Sequence, residues 1–554
     1  MPLWQNISRR TLSTAAAKAS QNVAPAPISV GEFYEHLQRC MPPAGWGDRL
    51  VVANSGGPDS VCLLHLLASV VKQRSSSHAP EPPAFPSRVY SVHVNHNLQA
   101  VNMAMQEVAR DTAHNIGVEH RTEVIPWGTG PFPHKPESGK PIEEVARQAR
   151  HARLLVAMQA LNAPCIAYAH HADDQVETSL MRFAKGSQIW GAVGMRPIRR
   201  WGMGQQADII PAGAAGMLHW IVRPLLDVSK DRILATCEAN ELEYAIDPTN
   251  FQPEITLRNS LRAYLQDRDI HLASSADTPY RPTWLAQADA ESYEQAIQQL
   301  ARGTPRMADL REATRQLGKE VERLEMLASS ALRQCALPSP PSTVVLSHTA
   351  LASITDPLVR HAIVRRILRY VSPKPWGTLA AVAHGDLAKH DAIVRRLWSD
   401  DAVPATQYAG GADVLWTPAT LNYRGELRQR VPKDSKEPAL WVVQRAPPMR
   451  SALPALTVDL TEQLRAFEGP RMLYLYDNRF WFRFDKEWAG EGISVAEVLK
   501  QGRVEIRPEA QQYHLPQVVW VREGKDDMLL GRYAPTWHSV PWIQTLCIRV
   551  LTIL

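Results

Sequence analysis

At 554 residues the chain exceeds what one ordinary hydrophobic core supports, and a 45% hydrophobic content suits roughly two to four globular domains. No apolar run reaches the roughly 18 residues of a membrane helix, and six scattered cysteines without a Cys-x-x-Cys argue against a disulfide framework or a structural zinc site. The net charge of +5 is compatible with an RNA partner without requiring one. Residues 1–31 hold Arg9, Arg10 and Lys18 and no acid before Glu32, and Leu3, Trp4, Ile7 and Leu12 fall on one helical face. That composition predicts a mitochondrial presequence, with a disordered tail as the alternative.

A helix is expected from Glu32 to Arg39, then a short buried strand over Leu50–Ala53. The stretch Ser55-Gly56-Gly57-Pro58-Asp59-Ser60 leads into an apolar helix, Val61–Val71. A strand, a glycine turn and a helix start make a phosphate site, because free N–H groups and the helix dipole face the anion. Gly56 and Gly57 let backbone approach closely, and Ser55 and Ser60 offer hydroxyls. Asp59 repels phosphate unless a divalent cation stands between them. No lysine follows the glycines, so this is not a G-x-x-x-x-G-K-[ST] loop. It matches Ser-Gly-Gly-x-Asp-Ser, the loop of enzymes that split ATP between its α and β phosphates.

Residues 73–87 read as a proline-rich connection, Val89–Val94 as a second strand ending in His93-Val94-Asn95-His96, and Met103–Asn115 as a helix. Glu119–Ile125 is a third strand, 127–140 a surface insertion and Ile142–Leu161 a helix with Glu143, Glu144, Arg147 and Arg150. Cys165–Ala169 is a fourth strand, ending in His170-His171-Ala172-Asp173-Asp174-Gln175-Val176-Glu177-Thr178. Glycines recur at Gly186, Gly191 and Gly194, and 202–216 is glycine-rich. Then come Arg223-Pro224-Leu225-Leu226, a helix over Lys230–Asn240, Asp247-Pro248-Thr249-Asn250 and Arg258-Asn259. Strands alternating with helices predict a doubly wound parallel sheet, whose ligands bind at the carboxyl ends of the strands.

From about 288 the pattern turns helical, with Met307, Leu310, Ala313, Leu317, Val321, Leu324 and Leu327 spaced for one face. Helices near 357–370 and 386–398 carry Arg365, Arg366, Arg369, Arg395 and Arg396, which read as a solvated face or as RNA-backbone contacts. Beyond 410 strands dominate, with a hairpin turning at Asp477-Asn478. The apolar tail from Trp542 is expected to pack. The expected division is a presequence or tail (1–31), an α/β ATP pyrophosphatase domain (32–285), a helical domain (286–405) and a smaller β-rich C-terminal domain (406–554).

Residues 48–265 resemble the tRNA(Ile)-lysidine synthase family of PP-loop ATP pyrophosphatases. The resemblance rests on Ser55–Ser60, His93–His96, Glu143/Glu144 with Arg147 and Arg150, His170–Thr178, Arg223–Leu226, Asp247–Asn250 and Arg258-Asn259. It implies ligation of free L-lysine to C2 of the wobble cytidine of an isoleucine tRNA, through an adenylated base, with release of pyrophosphate and then AMP. By that resemblance Ser55, Gly56, Gly57, Pro58, Asp59, Ser60 and His93 hold ATP, with Asp59 beside Mg²⁺. His170, Asp174 and Glu177 take lysine; Asp174 and Glu177, three apart, share a helical face. Asp59, Asp174 and Glu177 are the expected catalytic residues, and Arg147, Arg150, Arg223 and Arg258 the expected tRNA contacts. Asn97, Gln99 and His151 depart from the family's usual residues. A tRNA 2-thiolase of the same superfamily and a non-catalytic RNA-binding relative remain alternatives. The expected compartment is the mitochondrial matrix, with the cytoplasm as the alternative, and no membrane is expected as a partner.

Overall fold

The computed structural model describes residues 24–76, 85–97, 101–129, 132–135, 142–203, 216–274, 282–399, 406–433, 437–509, 512–534 and 536–551. The expected presequence face at residues 3–12 and most of the 202–216 stretch lie outside them. Two compact units are formed, one from the residues up to Trp201 with Leu218–Val321, the other chiefly from Glu322 onward.

In the first unit α1 (Val30–Gln38) precedes β1 (Arg49–Ala53), α2 (Pro58–Ser76), β2 (Arg88–Asn95), α3 (Val101–Ile116) and β3 (Glu119–Val124). Next come α4 (Ile142–Ala160), β4 (Cys165–Ala167), α5 (Ala172–Ala184), α6 (Ile189–Ala192), β5 (Ile198–Arg200), β6 (Trp220–Val222) and α7 (Lys230–Ala239). The unit ends with α8 (Leu257–Ser274), α9 (Gln287–Leu300) and the first turns of α10 (Met307–Cys335). The sheet order is β3-β2-β1-β4-β6-β5. All pairs are parallel except β5 with β6.

Side chains alternate across the sheet, so β1 feeds two cores. Leu50 and Val52 pack with α2 and α7 residues such as Leu63, Leu67 and Ile233. Val51 packs with α4 through Ala149, Leu155 and Met158. Leu50, Val51 and Val52 are fully buried, each contributing about 1.5–3 kcal/mol of apolar transfer. A third cluster joins Val176, Leu180 and Phe183 of α5 to α8, α9 and α10.

The chain leaves β1 for β2 and β3 on one side, then returns to place β4 on the other. This reversal opens a crevice at the carboxyl ends of β1 and β4, where ligands of open α/β sheets bind. Both polar motifs, Ser55–Ser60 and His170–Thr178, leave the sheet there.

The second unit carries three sheets. Val414–Leu421 and Leu440–Arg445 pair antiparallel, and Val344–Ser347 adds to the latter. The hairpin Arg471–Tyr476/Phe480–Asp485 turns through Asp477 and Asn478, both at φ near +50°, as a two-residue turn requires. The apolar tail packs: Trp542 is fully buried and Ile543–Cys547 pairs with the hairpin. Arg365 and Arg366 are buried, neither solvated nor displayed to RNA, and Arg366 pairs with Glu325. Among the described residues no helix is long and apolar enough to cross a membrane.

Candidate active site

Asn54 builds the first loop. Its Nδ2 donates to Ser91 Oγ (3.0 Å) and to the Ala109 carbonyl (3.3 Å), while its Oδ1 accepts from Gly56 N (2.9 Å) and Ser60 Oγ (3.1 Å). Ser60 Oγ also receives Ser55 N (3.1 Å) and lies 3.1 Å from Ser55 Oγ. Gly56 has φ +83°, and a Cβ there meets the Met105 carbonyl at 2.6 Å. Pro58 opens α2, where its missing N–H is not needed. His93 is buried and its Nδ1 lies 3.0 Å from the Asn54 carbonyl. It buttresses the loop from β2, and burial holds its pKa down, leaving it neutral.

Asp59, in the first turn of α2, accepts from Lys230 Nζ at 2.5 Å. His171, the N-cap residue of α5, has Nε2 3.7 Å from Asp59 Oδ1 and 3.6 Å from Asp174 Oδ2. One imidazole thus spans the loop after β1 and the acids after β4. Lys230 is the first residue of α7. Side chains from the first residue of α7 and the N-cap of α5 therefore meet at Asp59, in the first turn of α2.

Asp174 accepts from the His171 backbone N–H at 3.1 Å. Burial opposes its ionisation, but His171, His170 and Arg258 outweigh that and lower its pKa to about 2. Glu177 is 1% exposed and takes both Arg262 Nε (2.7 Å) and Nη2 (3.0 Å), with Arg258 Nε at 3.6 Å. Burial pushes its carboxyl above the usual range against the pull of Arg262. His170 is driven down to about 3 by burial and by Arg223, whose Nε donates to His170 Nδ1 at 3.2 Å. It is neutral, with its proton on Nε2.

The four expected tRNA arginines divide. Arg147 and Arg150 lie on α4, Arg147 exposed and Arg150 half-buried. Arg223 is buried and also donates to the Arg196 carbonyl at 2.9 Å. Arg258 donates to Thr178 Oγ1 at 3.1 Å and faces Glu177. Arg223 thus lies in the site's interior, whereas Arg258 is half-buried beside Glu177. The structure further brings in Asn54, His171, Lys230, Arg262 and Arg311. Arg311 holds Asp173 through Nε (2.6 Å) and Nη2 (2.9 Å). The pairings of Lys230, Arg262 and Arg311 have no local sequence signature, since their partners lie 85 or more residues away.

Among the described residues no three His, Cys, Asp or Glu side chains form a metal-binding group. Asp59 nonetheless fits as a single protein ligand to a magnesium ion held mainly by substrate phosphates. Cys62 and Cys237 are fully buried beneath the loop. Their mutual hydrogen bond and burial raise the Cys62 pKa, while the same hydrogen bond lowers that of Cys237.

A loop that cradles phosphate, at the switch point of a doubly wound sheet, defines a PP-loop ATP-using protein, and the family described as the PP-loop domain matches residues 32–268. The tRNA(Ile)-lysidine synthase of a Bradyrhizobium species is 32% identical over 315 residues, 55% of this chain and 77% of that one. That of Methylobacterium nodulans is 33% identical, over 48% of this chain and 66% of its own. That of Bacillus subtilis is 30% identical, over 39% of each. The chain belongs to the tRNA(Ile)-lysidine synthase family.

Proposed function

We propose that the chain ligates L-lysine to the wobble cytidine of an isoleucine tRNA at the expense of ATP. The observation that carries this reading is His171, within 4 Å of both Asp59 and Asp174: the nucleotide's phosphates and the amino acid's cationic end meet in one cleft. In the first step the C2 carbonyl oxygen of the base attacks the α phosphate and pyrophosphate leaves. In the second the lysine ε-amine attacks C2 and AMP leaves. Magnesium at Asp59 supplies charge neutralisation of the phosphates.

The carboxylates divide the second step. Asp174 stays ionised and attracts the ε-ammonium. That group titrates near ~10.4 and attacks only when neutral. Glu177, raised by burial, is the better proton acceptor, and it becomes available once Arg262 yields one of its oxygens. Arg147 and Arg150 are the proposed tRNA contacts on the surface. The basic, acid-poor first 31 residues support import into the mitochondrial matrix as the proposed location.

The test is pyrophosphate release from ATP by the full chain, with lysine and isoleucine tRNA each supplied or omitted. Release is expected only when the tRNA is present, and lysidine in the product only when lysine is added. Asp59→Ala is expected to abolish release, while Glu177→Ala chiefly spoils lysine use. Full activity in both variants overturns the assignment.

A further inference from the structure

Lys230 stands where a lysine is electrostatically misplaced. It opens α7 directly after the N-cap Ser229, and a cation in a first turn opposes the helix dipole. Its ammonium turns back over that helix end to Asp59, in the first turn of α2. Both side chains are about 30% exposed, at 29% and 31%, so the pair faces the cleft. A half-exposed ion pair of this kind adds little to stability, because water screens it. It is easily exchanged for a stronger partner.

The surroundings favour an anion of higher charge than one carboxylate. Asp59 lies in the first turn of α2, where Lys230 from the start of α7 and His171 from the N-cap of α5, 3.7 Å away, bring cationic or hydrogen-bonding groups together. The next residue, Asp231, pairs with Arg311 at 3.2 Å, and among the described residues the carboxylate bonded to Lys230 is that of Asp59.

We propose that Lys230 is a polyphosphate-binding residue. Its ammonium leaves Asp59 for the α–β phosphate oxygens when a nucleoside triphosphate enters, and the freed Asp59 carboxylate takes the cation that accompanies the nucleotide. This rests on the ATP-cleaving reading above and adds the group that stabilises the leaving pyrophosphate. As the bond from the α phosphorus to the bridging oxygen breaks, the electron pair passes to pyrophosphate while the attacking carbonyl oxygen bonds to the α phosphorus. A fixed ammonium at that oxygen is worth most as the negative charge develops.

The experiment measures calorimetric affinities of the full chain for ATP, inorganic pyrophosphate and AMP without tRNA or lysine, in wild type, Lys230→Met and Lys230→Arg. Losing one charge-assisted contact weakens binding by about 10- to 100-fold. Lys230→Met is expected to lose that much for ATP and pyrophosphate, with AMP affinity unchanged within about twofold. Lys230→Arg restores most of the loss, and the thermal midpoints of both variants show that they fold. Wild-type ATP-to-AMP affinity ratios in Lys230→Met overturn the proposal, as does equal loss for all three ligands. Wild-type chain that binds ATP yet releases no pyrophosphate with lysine and tRNA defeats the ligase reading instead, and the affinity ratios still decide the role of Lys230.

Discussion

A methyl group at Gly56 has no room. Its backbone is left-handed, and the Met105 carbonyl lies 2.6 Å from where a Cβ stands. A backbone oxygen on a packed helix cannot swing away as a side-chain tip can. Gly56→Ala is therefore expected to lower the unfolding free energy by about 2–4 kcal/mol. At Gly57 the nearest atom to an added Cβ is Ser55 Oγ at 3.5 Å, an ordinary contact. Gly57→Ala is expected to change stability by less than about 1 kcal/mol. Urea titrations of the two variants check this, and equal losses refute it. The motif makes both glycines look alike; the left-handed backbone at Gly56 and the neighbouring α3 separate them. The same limit applies to Glu177. Three-residue spacing from Asp174 placed it on the right helical face, but the two arginines that hold it come from α8, some 80 residues on. The sequence marks the acids and not their counter-ions.

At the scale of elements, β1 to β4 and the helices between them were readable because period-2 and period-3.6 patterns are local, whereas β5, β6, α6 and α8 were not expected from the sequence. Their ends were less so. α2 runs through Ser76 rather than stopping at Val71: Lys72 and Gln73 are exposed, so the apolar pattern ends before the helix does. α10 continues to Cys335 because Ala328, Ala331, Leu332 and Cys335 keep the buried spacing. Val344–Ser347 is too short and too closely flanked by helices to read as an inner strand. The anchoring of α10 is likewise invisible locally, since Arg311 reaches Asp173 at the start of α5. That pair is 21% and 14% exposed, between a surface and a buried bridge, so Arg311→Met is expected to cost about 1–3 kcal/mol. Loosening the first turn of α5 shifts Asp174 before it shifts the loop after β1. Lysine KM is expected to rise several-fold while ATP KM holds. Steady-state kinetics with each substrate varied separately checks this, and parallel rises in both constants refute it.

Over the whole molecule, site placement followed from topology. Once the alternation implied a parallel sheet, the polar clusters had to share its carboxyl edge. Histidine burial did not follow from sequence, and it dictates the acid response of the chain. Burial lowers His96, His120 and His390 to about 4 and His170 to about 3, against 6.5 for a free imidazole. Below pH 6.5 the unfolded chain takes up protons that the folded chain refuses until about pH 4. Stability therefore falls as pH drops through that window, by at most about 1.4 kcal/mol per pH unit for each such group. Carboxyls held low, Asp174 and Glu437 at about 2, lose their contribution only below their ordinary values near 4. Across the interval from pH 6.5 to about 4.5 the buried histidines lower stability, while Glu177 and Asp269, raised by burial, act in the opposite sense, so the histidine contribution is read from the difference between variant and wild type. The thermal midpoint is expected to fall across it. The combined His96→Gln, His120→Gln and His390→Gln variant is expected to fall less steeply, because a neutral amide has no proton to gain on unfolding. Scanning calorimetry at matched ionic strength checks the slopes, and equal slopes for variant and wild type rule out burial of these imidazoles as the cause.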